Sequence, residues 1–236
     1  MNKTTNERLQ NHREDGDIVT PSSRWEKEIQ MYKRFLPHIQ PENAIIFITY
    51  RLAFSLPQAF YLKESIRKIK SRMQKEIHKN FKKRKEITAK YEYKLFLVED
   101  LFYPKISNSP QWLMEKSIVE IVEESLLWGH QKRYELFSYC IMPNHIHILI
   151  RPMKIENENK FYELKDIMYS HKRFTAREAN KILNRKGDFW YREFYDHYIR
   201  NEKEFRNVLR YIYHNPVKAG LVSEPEDWRF NKIMEL

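Results

Sequence analysis

Apolar residues recur along this chain with two different spacings, and the switches between them mark out its elements. Residues 44–54 (A-I-I-F-I-T-Y-R-L-A-F) are dense in β-branched and aromatic side chains and predict a strand, ended by Ser55-Leu56-Pro57. Residues 112–128 repeat Leu113, Ile118, Ile121, Val122 and Leu126 at helical spacing, with Gly129 as the expected C-cap. Residues 134–142 and 145–151 read as two strands, and their short connection makes them an antiparallel pair. A long helix is expected over 161–183, with Leu164, Ile167, Met168, Ala179 and Ile182 inward, followed by a turn at 184–188. The aromatic run 189–200 (F-W-Y-R-E-F-Y-D-H-Y-I-R) predicts a further strand. Asn201 is placed to N-cap a last helix, with Glu202 and Glu204 in its first turn, where the helix dipole favours acid. Phe205, Val208, Leu209 and Ile212 form its apolar stripe, and Pro216 stops it near Asn215.

Four segments are less regular. Residues 1–23 are polar and aperiodic and read as a mobile tail, while Trp25, Ile29, Tyr32 and Leu36 suggest a weak helix over 25–36. Residues 63–90 hold twelve Lys or Arg against Glu64, Glu76 and Glu86, with Ile66, Ile69, Met73 and Ile77 as a thin stripe, so a helix is expected. Residues 93–103 fit a strand or a short helix equally. Six consecutive elements, strand, helix, strand, strand, helix and strand, match the split βαββαβ arrangement of an α+β fold. The expected organisation is a partly disordered tail at 1–40, one domain at 41–225 with a basic helical insertion at 62–90, and a short tail at 226–236.

Charge narrows the partner. A net charge of +11 and a pI near 9.5 favour a polyanion, either nucleic acid or an anionic membrane surface. No apolar run approaches the roughly 20 residues that span a bilayer, and the polar N-terminus is unlike a signal peptide. A single cysteine, Cys140, excludes an internal disulfide and argues for a reducing compartment. The expectation is a cytoplasmic protein, associated with the nucleoid when on DNA. Fifteen Tyr and five Trp supply rings that could stack on bases, although most such rings fill cores.

Candidate chemistry centres on residues 139–152, Y-C-I-M-P-N-H-I-H-I-L-I-R-P. On a strand, His145 and His147 project from one face while Ile146, Ile148 and Ile150 project from the other. Two such imidazoles can grip one divalent metal, but H-x-H alone reads more simply as two half-buried strand residues with no ligand. In the last helix Tyr211 and Asn215 are four apart and share a face, whereas Tyr213 points elsewhere. If that helix packs beside the histidines, the phenol can serve as nucleophile and the amide oxygen as third metal ligand. The plainer reading makes Tyr211 core and Asn215 a helix C-cap.

Five motifs in order point further: I-T-Y-R-L (48–52), H-I-H after M-P-N, K-R-F-T-A-R-E-A-N-K-I-L (172–183), F-W-Y-R-E-F-Y-D-H (189–197) and R-Y-I-Y-H-N-P-V-K-A-G-L-V (210–222). Together they resemble the REP-associated tyrosine transposases, members of the single-tyrosine HUH transposases and relatives of insertion sequences that move as single-stranded DNA. The resemblance spans about residues 44–225. It implies a ferredoxin-like sandwich, an antiparallel sheet with helices on one face, plus a C-terminal catalytic helix. By position it implies Tyr211 as nucleophile, His145 and His147 as metal ligands, and Asn215 where the family has Gln or Asn as third ligand. The metal implied is Mg²⁺ or Mn²⁺, although two imidazoles could suit zinc. The partner implied is single-stranded or hairpin DNA, bound by a monomer or homodimer, with cleavage through a 5′-phosphotyrosine. Candidate DNA contacts are Lys82, Lys83 and Arg84 in the basic block, Lys172, Arg173 and Arg177 on the long helix, and Trp190, Arg192 and Arg200 in the aromatic run. The long N-terminal tail and the basic block exceed the compact family core, and little chain follows Glu224, so no long C-terminal DNA-guiding tail is expected. The competing readings are a DNA-binding protein that keeps the fold without catalysis and an RNA-binding module with a basic, aromatic sheet.

Overall fold

The structure, a computed structural model, describes residues 29–33, 37–55, 60–102 and 109–234. Along them run β1 (Ile29–Lys33), β2 (Pro37–Pro41), β3 (Ile46–Arg51), α1 (Phe60–Lys79), α2 (Arg84–Phe102), α3 (Lys116–Gly129), β4 (Tyr134–Ile141), β5 (His145–Pro152), α4 (Leu164–Ile182), β6 (Tyr195–Tyr198), α5 (Glu202–Tyr213), the one-turn α6 (Asn215–Lys218) and β7 (Asn231–Ile233). Five of the strands form one antiparallel sheet in the order β6-β3-β5-β4-β7. Without β7 the order is fourth, first, third, second strand of a βαββαβ unit, the arrangement read from the sequence.

The two faces of this sheet are divided by the alternation in β3 and β5. Ile46, Ile48 and Tyr50 with Ile146, Ile148 and Ile150 point to one side, where α3 and α4 cover them with Ile118, Val122, Leu126, Leu164, Ile167 and Ala179. Each of the three β5 isoleucines is fully buried, which contributes roughly 2 kcal/mol apiece. A one-residue slip would turn all three outward, so burial fixes the register. That register sets Thr49 and Cys140 opposite His147, and Arg51 opposite His145, on the second face. There α5 packs its stripe of Phe205, Val208, Leu209 and Ile212 against Phe47, Phe137, Cys140 and Leu149. A bulge between Leu136 and Ser138 in β4 lets Phe137 join this second core, where it meets Phe205 edge-on. The last helix therefore lies on the histidine face of the sheet.

Several expectations are corrected. The helix expected over 25–36 gives way to the antiparallel β1–β2 pair, with Ile29 opposite Pro41 and Lys33 opposite Pro37. Pairing with Pro37–Pro41 satisfies the backbone of Ile29–Lys33 across the strands, a contact that the local apolar spacing does not encode. Trp25, Leu36 and the tail expected over residues 1–23 lie outside the described residues. The basic block is not one helix but most of α1, a 3₁₀ turn at Phe81–Lys83 and the start of α2, and 93–102 continue α2. Gly129 is the last residue of α3 rather than its cap, which is His130. Glycine is required there because a Cβ would stand 2.4 Å from the Tyr134 ring. Ile182, the final residue of α4, is exposed, since the buried stripe of that helix ends at Ala179. Only Tyr195–Tyr198 of the aromatic run forms a strand, because Phe189 and Trp190 enter the core from a loop. Residues 226–234 are no tail: Trp228 Nε1 donates to the Ile141 carbonyl at 2.9 Å and β7 pairs with β4. Among the described residues no helix is long and apolar enough to cross a membrane.

Candidate active site

His145 and His147 are both buried and face each other, with their Nε2 atoms 3.1 Å apart. Each ring is held from behind. Thr49 Oγ1, on β3, lies 2.7 Å from His147 Nδ1, and Asn144 Oδ1 lies 2.7 Å from His145 Nδ1. The Asn144 amide nitrogen donates to Ser109 Oγ at 3.0 Å, which leaves its oxygen to accept. His145 therefore carries its proton on Nδ1 and turns the Nε2 lone pair toward His147. Such outer partners fix the tautomer of metal-ligating histidines. Burial, helped by the charge of Lys218, pushes the His147 pKa down to about 3, so this imidazole is neutral at physiological pH, the form that ligates a metal.

Tyr211 stands over this pair. Its ring lies 5.4 Å from the His147 ring, 5.8 Å from Phe47 and 6.2 Å from Phe96 of α2, each contact nearer edge-on than stacked. Phe96 itself stacks on Tyr195 of β6 at 4.4 Å, so the second half of α2 supplies one wall of the site. Tyr213, two residues on, turns away and donates to Glu226 at 2.7 Å. One turn beyond Tyr211, Asn215 opens α6 rather than capping α5, and it is 4% exposed with Nδ2 lacking a hydrogen-bond partner. Buried side-chain amides are normally satisfied, so this one retains unused capacity. A shallow cleft of about 420 Å³, lined by Asn207, Arg210, Tyr211, His214 and Lys218, opens the tyrosine to solvent.

Two imidazole nitrogens and an amide oxygen are donors that a divalent cation takes. Among the described residues no cluster of three or more His, Cys, Asp or Glu could hold a metal, so the histidine pair needs an amide to complete a protein ligand set.

The remaining sequence candidates are dispersed. Trp190 is corrected from a DNA contact to a core residue: it is 6% exposed, packs on Tyr50 and donates Nε1 to Thr175 Oγ1 at 2.9 Å. Lys172 Nζ donates to the carbonyls of Tyr191 and Arg192 and so ties α4 to the following loop. With Arg173 and Arg192 it lines a groove of about 250 Å³ that also includes Met168, Phe189 and Phe194 of the isoleucine-side core, away from the histidine face. Arg177 pairs with Glu178, and Arg200 lies over the Tyr198 ring. Lys82, Lys83 and Arg84 are exposed at the tip of the α1–α2 arm. Thr49, Asn144, Phe96 and Lys218 were not singled out from the sequence. For Lys218 a signal existed, since a position seven after Tyr211 falls on the same stripe of a continued helix.

Residues 110–215 match the family described as Transposase IS200 like, a range that contains His145, His147, Tyr211 and Asn215. A protein of Haemophilus influenzae assigned to the REP-associated tyrosine transposases is 36% identical over 108 residues, covering 42% of this chain and 59% of that protein. The REP-associated tyrosine transposase of Escherichia coli K12 is 30% identical over 100 residues, covering 42% of this chain and 53% of its own length. The chain thus spans little more than half the length of these curated relatives. A solved structure of a REP-associated tyrosine transposase bound to a REP hairpin is 17% identical, with a TM-score of 0.46, over 85% of this chain and 80% of that one.

Proposed function

We propose that this chain, whose residues 110–215 match the family described as Transposase IS200 like, is a metal-dependent enzyme that nicks and rejoins single-stranded DNA at or near hairpins. The observation that carries the reading is the pair of facing imidazoles with the Tyr211 ring packed on His147. The curated relatives are named for REP elements, and for this chain we infer a palindromic-repeat hairpin as the target class.

In this mechanism Tyr211 Oη attacks a backbone phosphorus. The new bond is a 5′-phosphotyrosine ester, the P–O3′ bond breaks, the phenol proton passes to solvent and the 3′ oxygen takes one up as the hydroxyl leaves. The ester energy is retained, so the 3′-hydroxyl of the same or another strand can reverse the step without ATP. His145, His147 and Asn215 would hold Mg²⁺ or Mn²⁺, which when bound supplies charge neutralisation and orientation at the scissile phosphate. Thr49 and Asn144 keep both imidazoles aimed. Phe47 and Phe96 wall the tyrosine ring and limit the directions its hydroxyl can take. The test is a denaturing gel of the full chain with Mn²⁺ and single-stranded hairpin oligonucleotides. A covalent protein–DNA band that depends on Tyr211 supports the reading, and its absence across hairpin sequences from repeats flanking the coding region refutes it.

A further inference from the structure

Lys218 is the last residue of α6, and its Nζ lies 5.0 Å from the centre of the Tyr211 ring. The same Tyr211 ring lies 5.4 Å from the His147 ring, so Lys218 and the histidine pair flank one tyrosine. Lys218 thus stands beside both the candidate nucleophile and the candidate metal pair, while remaining exposed toward the cleft. Arg210, one residue before the tyrosine, lines the same opening, and none of the five lining side chains is acidic.

A fixed ammonium next to a dication-binding pair is unfavourable unless an anion lies between the two charges. A phosphodiester is such an anion, and it is the group that must come to Tyr211 under the reading above, on which this inference rests. Lysine suits the task as a compact point charge on a flexible stem, able to follow a phosphate as the tyrosine becomes esterified. Arg210 at the rim adds a second permanent charge on the path inward.

We infer that Lys218, with Arg210 beside it, forms a phosphate subsite that receives the backbone of the single strand next to the bond Tyr211 attacks. The site takes a phosphodiester irrespective of base. It differs from the basic tip of the α1–α2 arm in lying at the nucleophile itself.

The experiment measures binding of a fluorescent hairpin oligonucleotide with an oligo-thymidine arm to the full chain with Mn²⁺, as wild type, Lys218→Gln and Lys218→Arg. Arms carrying one methylphosphonate at each position in turn remove single backbone charges. Lys218→Gln is expected to weaken binding about tenfold, as for loss of one charged hydrogen bond. The slope of log affinity against log salt should fall by about 0.7, the value for one contact to a single strand. Lys218→Arg should recover most of the affinity. One methylphosphonate position should weaken the wild type and leave Lys218→Gln unaffected. An unchanged salt slope in Lys218→Gln, or equal methylphosphonate effects in both proteins at every position, overturns the subsite. Covalent adduct formation by the wild type is scored separately: its absence removes the nicking reading, whereas adduct formation with unaltered Lys218→Gln binding removes only the subsite.

Discussion

The Tyr213 hydroxyl donates to Glu226 at 2.7 Å, which anchors this phenol to the segment leading into β7. That bond, with a smaller effect of burial, raises the Tyr213 pKa and holds this phenol away from the histidine pair. Tyr211→Phe is expected to abolish the covalent DNA adduct while leaving DNA binding and metal affinity near wild type. Tyr213→Phe should keep most of the activity. Adduct formation surviving in Tyr211→Phe and lost in Tyr213→Phe would reverse the assignment.

Thr49 holds His147 from the neighbouring strand and touches nothing else in the proposed chemistry. Thr49→Val should raise the Mn²⁺ concentration for half-maximal adduct formation about 10- to 100-fold, with the maximal rate recovered at saturation. His145→Ala with His147→Ala should show no recovery at any Mn²⁺ concentration, and chelation should silence the wild type. A Thr49→Val titration that overlays the wild type would remove Thr49 from the metal site.

His171 is buried between Tyr50 Oη, 2.7 Å from Nε2, and Ser125 Oγ, 2.9 Å from Nδ1. Burial, with a smaller effect of Lys172, pushes its pKa down to about 3. The unfolded imidazole titrates near 6.5, so between these limits the unfolded chain holds a proton that the folded chain does not. Stability from this group is present above about pH 6.5 and is lost as pH falls toward 3, by at most about 1.4 kcal/mol per unit. Urea midpoints measured at pH 7 and 5 should fall for the wild type and fall less for His171→Gln. The same pH dependence in both would show that His171 titrates normally in the folded state.

Gly129→Ala tests the close approach of α3 to β4. The added Cβ would meet the Tyr134 ring at 2.4 Å, and that ring is buried with its hydroxyl on the Leu126 carbonyl at 2.8 Å. The expected cost is about 1–3 kcal/mol, a melting temperature lower by several degrees for a chain of this size. An unchanged melting temperature would mean that the ring relocates freely.

Lys82, Lys83 and Arg84 sit together at the arm tip, fully out of the core. If the arm is a phosphate rail, reversing all three charges should weaken binding to hairpins of different sequence alike and flatten the salt dependence by about two to three contacts. Unchanged affinity would make the tip a solvated helix end.

The sheet was legible because its strands obey a simple physical rule. Ile146, Ile148 and Ile150 can be buried together only if His145 and His147 share the other face, and Asn201 caps α5 through Glu204 N as its side chain predisposes it to. What was illegible depends on contacts distant in sequence. The spacing of Ile29 and Tyr32 is as compatible with the observed hairpin as with a helix, and local pattern does not choose between them. Trp190 is aromatic enough for a DNA platform, but Thr175 on α4 claims its indole N–H in the core. β7 has three residues, too few to register as a period. Phe96 sits in a helix whose first half reads as solvated charge, and nothing local tells that its ring reaches Tyr211.

That reach has a consequence for how the molecule is divided. Phe96 and Thr49 precede the matched range 110–215 and Lys218 follows it, yet all three surround residues inside it. The Tyr211 ring is enclosed partly by an arm whose Phe96 stacks on Tyr195 and packs on Phe47, and whose Tyr93 meets His197. Local opening of such an element costs less than global unfolding. Loosening α2 alone would therefore unwrap Tyr211 and Tyr195 together while the sheet, the histidines and α5 stay folded. The cleft of Arg210 and Lys218 is one way to the tyrosine; opening of the arm would add a second, set by the stability of α2 and tunable by substitutions far from the site.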